Sequence, residues 1–238
     1  MALFFRIFLA LSIALSCAHA HAVPQPINPA LIQPNTTYFA AGLIPLAKDA
    51  NGTRYVLLAV DSGNVATDFG GLKEESLDHN NPYFTAAREA CEESMYILDS
   101  NTHFERLLQL RNRFGHKFDA PKAHATTYNL FINAQSIYEV PSKCGNYFTY
   151  IVHIPFDKNM PSFFKSRLHS PHQHCVPWCW QEKKELAWVR VEALMQEIAT
   201  APTEHSVFIK RNHDQLHISH YVVQTLKKAQ SLGIFATL

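Results

Sequence analysis

One stretch of the chain, residues 83–98, constrains the fold more than any other, because its apolar and acidic residues segregate as on the two faces of a helix. The apolar residues recur at spacings of three and four: Phe84, Ala87, Cys91 and Met95. Pro82 suits the first turn of such a helix. The apolar face is expected to pack on a sheet, which leaves the acidic face to line a cleft or to meet solvent.

The acidic face carries Glu89, Glu92 and Glu93, which share one stripe because helical positions three and four apart are neighbours. Carboxylates this close repel, and the repulsion is relieved by solvent, by a paired arginine such as Arg88, or by a bound divalent cation. A solvated acidic face is the plain alternative. The glycine pair at 70–71 favours a metal and phosphate site, because glycine lets a backbone approach a ligand.

The remaining pattern indicates a mixed α/β domain. Residues 37–46 and 55–60 predict a β-hairpin around Asn51 and Gly52, and a further punctuated segment, 61–71, leads to the glycine pair. More strands are predicted at 126–132, 147–156 and 186–191, and more helices at 104–113, 192–199 and 213–232, the last ending at Gly233. Strands, one helix, more strands and terminal helices do not form a regular βαβ series.

The segment from Gly70 to Ser94 resembles the Nudix box, G-x5-E-x7-R-E-U-x-E-E-x-G-U, where U is aliphatic. The R-E-U-x-E-E core matches at residues 88–93, with Ala90 at U. The resemblance implies a Nudix-like α/β/α sandwich with a mixed β-sheet, a catalytic helix and a C-terminal helix. It also implies a divalent cation, Mg²⁺ or Mn²⁺, and hydrolysis of a nucleoside diphosphate linked to another moiety.

Carried over by position, the resemblance makes Glu89, Glu92 and Glu93 metal ligands, and Gly71 the loop glycine whose carbonyl can reach the metal. Glu92 or Glu93 becomes the base that activates water, and Arg88 the residue that orients the glutamates. A catalytically weak Nudix-fold binding module is the alternative function, since the same residues can recognise a diphosphate without cleaving it.

The match departs from the motif in the loop before the helix. Gly71 and Arg88 are 17 positions apart, three more than in the motif. Counting from either end puts Leu77 or Asn80 at the first glutamate, and neither is acidic. Three nearby acids are open as its substitute: Glu74, Glu75 and Asp78.

The match also departs at the end of the helix. Met95 and Tyr96 stand where the motif has Gly-aliphatic, so the usual left-handed stop is expected to be lost and the helix to continue toward Leu98. Downstream, Glu185 followed by Trp188 is similar to the acid-then-Trp strand that closes many Nudix domains. Glu185 and Glu74 are therefore candidate additional acids, although a surface glutamate would give the same pattern at 185.

The first 20 residues predict a signal peptide, with Arg6 before an apolar run at 7–16 and cleavage after Ala20 or Ala22. A proline-rich lead-in, 21–36, precedes one domain at 37–238. The protein is expected to be secreted or periplasmic, without stable membrane association after cleavage. Lys plus Arg number 21 against 20 for Asp plus Glu, so no field favours nucleic acid as a partner, and a small nucleotide is expected instead.

An oxidising compartment would permit disulfides among Cys91, Cys144, Cys175 and Cys179. We expect Cys144 to pair with Cys175 or Cys179 rather than with Cys91, which lies in the predicted catalytic helix. Cys175 and Cys179 stand beside three histidines, so a metal site is the alternative to a bridge. Those histidines are His169, His172 and His174.

Overall fold

The computed structural model describes residues 25–28, 32, 35, 37–98, 136–141, 146–169, 182–203, 205, 207–211 and 214–237. Several sequence predictions lie outside these residues: the signal peptide at 1–20, the helix at 104–113, the strand at 126–132, and Cys144. Of the histidine and cysteine cluster at 169–179, only His169 is among the described residues. Within the described residues, no helix is both long and apolar enough to cross a bilayer.

A nine-stranded mixed sheet organises the described part of the chain. Its strands are β1 (Ala40–Lys48), β2 (Arg54–Asp61), β3 (Val65–Thr67), β4 (Phe69–Leu72), β5 (Ile137–Pro141), β6 (Tyr147–His153), β7 (Lys183–Arg190), β8 (Val207–Arg211) and β9 (Asp214–Ile218). The helices are α1 (Glu75–Asp78), α2 (Pro82–Glu93), α3 (Met160–Leu168), α4 (Val191–Thr200) and α5 (His220–Ser231), and a 3-10 turn follows at Ile234–Thr237.

The strand order is β5-β6-β1-β2-β3-β9-β8, with β4 added beside β1 and β7 beside β2. β1 runs parallel to β6, and β3 runs parallel to β9, whereas the other pairs are antiparallel. The register joins β1 to β2 through residues 46–48 and to β4 through residues 40–43. β2 and β4 therefore meet the same strand at different points, and the sheet divides between them.

Two apolar clusters cover the two faces of this sheet, because successive strand residues point to opposite sides. Leu57 and Ala59 of β2 join the cluster under α2, and Leu58 and Val60 join the cluster under α4 and α5. Phe164 places α3 on the α2 side. The described residues thus form an α/β/α sandwich with a mixed sheet and a C-terminal helix, as predicted.

The hairpin and several other elements are confirmed. The β1–β2 turn closes because the Asp49 carboxylate accepts hydrogen bonds from the backbone N–H groups of Asn51 and Thr53, at 2.9 and 2.8 Å. Gly52 takes a φ of 83°, which glycine tolerates without steric cost. β6, β7 and α4 also occupy their predicted positions within a few residues.

The helix predicted at 213–232 is wrong over its first third. Residues 214–218 form β9, which pairs with β8 and β3, and α5 begins only at His220. Leu216 and Ile218 alternate with polar residues, which is a strand pattern that the following helical periodicity concealed. The end of the helix before Gly233 is confirmed, with Gly233 at a φ of 74°.

The glycine pair is not in a loop, contrary to the prediction for 61–71. Gly70 and Gly71 lie in β4 and pair with Gly42 and Ala41 of β1. The chain then makes a short helix, α1, before it enters α2. The glycines are needed here for close packing from above and below the sheet rather than for a turn.

Candidate active site

Helix α2 carries the predicted acids and begins and ends at defined signals. The Asn81 side chain accepts a hydrogen bond from the Tyr83 N–H at 2.9 Å, and Pro82 occupies the first turn. The predicted continuation to Leu98 is wrong: α2 ends at Glu93, and Met95 and Tyr96 adopt left-handed φ values of 52° and 61°. The motif's left-handed stop is therefore kept without its glycine.

The acidic face of α2 is largely withdrawn from solvent. The exposed fractions of the side chains are 15% for Glu89, 17% for Glu92 and 6% for Glu93, and Arg88 among them is 4% exposed. These values exclude the alternative of a solvated acidic surface. Like charges buried together need cations, and the described cations that contact these acids are Arg88 and Lys183.

Arg88 joins the acids of α2 to the loop before it. Its Nε donates to Asp78 at 3.0 Å, its Nη2 donates to the Leu72 carbonyl at 2.8 Å, and its Nη1 donates to Glu89 at 2.9 Å. Asp78 is fully buried and also accepts from the Thr85 hydroxyl at 2.6 Å. Among the three acids that the spacing left open, Asp78 is therefore the one that forms a buried ion pair with Arg88.

The first of the three glutamates lies directly against the glycine pair. A Cβ added to Gly71 would stand 2.4 Å from Oε1 of Glu89 and 2.5 Å from its carboxyl carbon. The absence of a side chain at 71 is therefore what admits this carboxylate to β4. Gly71 acts here because glycine has no side chain, and its carbonyl remains a predicted metal ligand.

The last of the three glutamates is held at both oxygens. Oε2 of Glu93 accepts from the backbone N–H of Gly70 at 3.1 Å, and Oε1 contacts Nζ of Lys183 at 2.8 Å. Lys183 is the first residue of β7, so Glu93 bridges the gap between β4 and β7. Sequence reasoning missed Lys183, because nothing in its local spacing links it to a helix ninety residues earlier.

A second hydrogen-bonded pair lies next to Glu93. The hydroxyl of Tyr147, on β6, donates to Asp68 at 2.8 Å. Both Gly42 and Gly70 make room for it, since a Cβ on either would stand 2.3 Å from the Tyr147 oxygen. Burial raises the pKa of Asp68, although the Tyr147 hydrogen bond and the Lys183 charge oppose that rise. Neither residue was identified from the sequence.

Burial raises the pKa values of the three glutamates despite the nearby cations. The pKa of Glu92 rises to about 8 even though Arg88 opposes the rise, and the pKa of Glu93 rises to about 8 against Lys183. Burial also raises the pKa of Glu89. Burial is the largest cause of these rises, because it penalises the charged form, so a divalent cation beside the carboxylates would offset that penalty.

The arrangement provides oxygen ligands without a complete cage. Among the described residues, no three His, Cys, Asp or Glu side chains converge tightly enough to surround an ion by themselves. Mg²⁺ does not require such a cage, since it commonly uses one or two carboxylates, several waters and the phosphates of its substrate. Glu89 and Glu92, on successive turns of α2, fit that smaller requirement.

The two additional acids have different positions. Glu74 lies at the edge of the cluster, 3.6 Å from Nη1 of Arg88, with a side chain 53% exposed. Glu185 lies on β7 and pairs with Val60 of β2. Val60, like Ala187 and Val189, belongs to the cluster on the α4 side of the sheet. The pleat therefore places Glu185 on the face opposite α2. The structure brings Lys183, not Glu185, to the site.

Two of the residues in the histidine and cysteine predictions, Cys91 and His169, are among the described residues. Cys91 is buried, as expected for a residue on the packed face of α2. His169 follows α3, where its Nδ1 lies 2.8 Å from the Lys165 carbonyl.

By sequence, the chain matches no protein-family model and no curated protein. By structure, it is similar to an Ap4A hydrolase of C. elegans solved as a binary complex, at 14% identity over 84% of this chain and 98% of that one, with a TM-score of 0.38. It is also similar to the Nudix hydrolase RenU of M. smegmatis (13%; 85% and 88%; TM-score 0.38) and to a Nudix hydrolase of Alicyclobacillus acidocaldarius (14%; 79% and 88%; TM-score 0.40). Similarity at this level carries no inference about the activity of this chain.

Proposed function

We propose that this chain is a Nudix-type hydrolase that cleaves the pyrophosphate bond of a nucleoside diphosphate linked to another moiety, with Mg²⁺ or Mn²⁺ as its cofactor. One observation carries the proposal: the carboxylates of α2 are buried against the paired glycines of β4, with Glu89 packed on Gly71 and Glu93 bonded to the Gly70 N–H. An acidic helix without a role would expose these charges instead.

The acids that would hold the ion are on α2, where Glu89, Glu92 and Glu93 are the candidates. The donor set is oxygen only, which suits a hard cation rather than zinc or copper. When bound, such an ion neutralises the charge of the diphosphate oxygens, which otherwise repel a nucleophile.

The chain itself supplies orientation and proton transfer. Arg88 fixes Glu89 by a 2.9 Å hydrogen bond and is in turn fixed by buried Asp78. A carboxylate must accept a proton from the attacking water, and Glu92 and Glu93 are the candidates for this base. Burial raises their pKa values to about 8, so a bound divalent cation would be needed to favour the carboxylate form that accepts a proton at neutral pH.

The decisive experiment measures hydrolysis of a panel of diphosphate substrates with and without Mg²⁺. The panel contains nucleotide sugars, dinucleoside polyphosphates, ADP-ribose and NADH. We expect metal-stimulated turnover that falls at least about 100-fold in a Glu92→Gln, Glu93→Gln double variant, because removal of a general base typically costs this much.

A matched control removes the same charge elsewhere. Glu75 is 81% exposed on α1 and Glu197 is exposed on α4, so a Glu75→Gln, Glu197→Gln variant should keep full turnover. Equal turnover in both double variants would remove the α2 glutamates from the mechanism. Substrate binding without turnover in the unaltered protein would instead support the alternative, a Nudix-fold binding module.

We also propose that the protein is exported, on the strength of the charged and apolar pattern of residues 1–20. Expression in a secreting host, followed by intact mass measurement, tests this. A mature chain that begins at His21 or Val23 is expected. Recovery of the full-length chain in the cytosol would contradict export and leave the proposed activity unaffected.

A further inference from the structure

The side chain of Lys183 is a buried cation that the predicted chemistry does not use. It is 11% exposed, and its Nζ lies 2.8 Å from Oε1 of Glu93 and 3.4 Å from the Thr67 hydroxyl. At 2.8 Å from the Glu93 carboxylate, the amine is placed to form an ion pair. A charged ammonium therefore stands inside the acidic cluster.

An irregularity in β7 delivers this amine to the α2 side of the sheet. The register pairs Val60 with Glu185 but Asp61 with Lys183, so two residues of β7 span one step of β2. Such a bulge re-aims the side chains around it. If β7 were a regular strand without this bulge, Lys183 would share the face of Glu185, which lies opposite α2, and the amine would not reach Glu93.

Glu93 is consequently occupied within the protein. One of its oxygens contacts Lys183 and the other accepts from the Gly70 N–H. Asp68 has the Tyr147 hydroxyl as its hydrogen-bond donor. The side chain of Glu92 is more exposed than that of Glu93, at 17% against 6%, so an ion from solvent reaches it more readily.

We propose that Lys183 is a fixed cation in the Glu93 half of the cluster, which confines the divalent ion of the proposed hydrolase to the Glu89 and Glu92 half. The physical reason is like-charge repulsion, since an ammonium bonded to Glu93 opposes a second cation there. Lys183 is thus a positioning residue: it holds Glu93 and sets the number of ions that enter without substrate. This inference rests on the proposed function.

The test counts Mn²⁺ ions bound without substrate, by electron paramagnetic resonance at a fixed neutral pH. We expect one ion in the unaltered protein and two in Lys183→Met. Lys183→Gln, which keeps a donor for Glu93, should also bind two, so the test does not depend on one variant folding. Lys183→Arg keeps the charge and should bind one. Lys184→Met is the matched control, since the Lys184 amine donates to Asn64 Oδ1 at 3.3 Å rather than to Glu93. This variant should bind one ion.

A second measurement needs no change at 183. Glu92→Gln should weaken Mn²⁺ binding at least tenfold, whereas Glu93→Gln should change it less than threefold. One ion in every Lys183 variant, or a large loss in Glu93→Gln, would overturn the inference while metal-stimulated turnover kept the proposed function. Absence of Mn²⁺ binding in all proteins would overturn the metal-dependent function and the inference with it.

Discussion

At the scale of single residues, Arg88 organises acids that come from different parts of the chain. Its guanidinium contacts Asp78 from α1, Glu89 from its own helix, and the Leu72 carbonyl from β4. Burial by itself would lower the pKa of Arg88, but the hydrogen bond that it donates to Asp78 and the charges of the acids raise it. The planar fork of five donors makes these contacts together, which a lysine ammonium cannot do.

Arg88→Lys is therefore expected to destabilise the protein although it keeps the charge. Asp78 is fully buried and would lose the second of its two contacts with the guanidinium. We expect a loss of about 3 kcal/mol in the free energy of unfolding, as for a broken buried pair. Urea denaturation measures it. The exposed Arg190→Lys is the control and should change stability by less than about 0.5 kcal/mol. Equal effects would mean that the fork geometry is unimportant.

Gly71→Ala tests whether the carboxylate of Glu89 needs the open backbone. The new methyl group would stand 2.4 Å from Oε1 of Glu89, so the carboxylate must swing away from β4. If Glu89 is a ligand, Mn²⁺ affinity should fall about tenfold or more, the range typical when support for a ligand is lost. Gly63→Ala is the control, because its Cβ would stand 3.3 Å from Asp61 and 3.9 Å from Val65, far from the acidic cluster. Unchanged affinity in Gly71→Ala would separate Glu89 from the metal.

At the scale of elements, the end of α2 shows how a left-handed helix stop can form without the glycine that usually provides it. Met95 N–H donates to the Glu92 carbonyl at 3.0 Å, and Tyr96 N–H donates to Cys91 at 2.8 Å, so the helix closes with left-handed residues. Both side chains are fully buried under α2. Their packing compensates the cost of left-handed backbone, which a prediction from propensity could not include.

This balance predicts a reversal of the usual order of alanine and glycine. Met95→Ala and Met95→Gly should both lose stability because a buried side chain is removed, but the glycine variant should be the more stable by about 1 kcal/mol, since only it relieves the left-handed strain. At exposed Gln196 within α4, the order should be the ordinary one, with alanine about 1 kcal/mol more stable than glycine. Thermal unfolding of the four variants measures this. The ordinary order at both positions would contradict the account.

At the scale of the whole molecule, the site divides into a part that the sequence predicts and a part that it does not. Arg88 and the α2 glutamates share one helix, so their spacing alone brings them together. Lys183 and Tyr147 reach the site only because β7 pairs with β2 and β6 pairs with β1. That pairing depends on the fold of the whole chain, and the bulge in β7 has no signature in the residues around it.

The difference in proton binding between the folded and the unfolded chain is also a property of the whole molecule, and His153 on β6 contributes to it. The imidazole is 2% exposed, packs against the Tyr138 ring at 5.3 Å, and its Nε2 has no hydrogen-bond partner among the described residues. Burial, with a smaller contribution from Lys48, lowers the pKa of His153 from 6.5 to about 4. The folded state therefore holds this ring neutral where the unfolded chain would protonate it.

His153 should consequently contribute a loss of stability as pH falls from about 6.5 to about 4, because in that window the unfolded state binds a proton that the folded state does not. The contribution of His153 across the window is about 3 kcal/mol. Urea denaturation at several pH values should show the free energy of unfolding of His153→Gln rising by about 3 kcal/mol relative to that of the unaltered protein as pH falls from about 6.5 to about 4, whatever the stability of the variant at neutral pH. Comparing the two proteins cancels the opposite effect of the buried glutamates, whose raised pKa values favour the folded state in acid. The exposed His205→Gln should keep the original slope, and a parallel pair of curves for His153→Gln would mean that the ring is protonated in the folded protein.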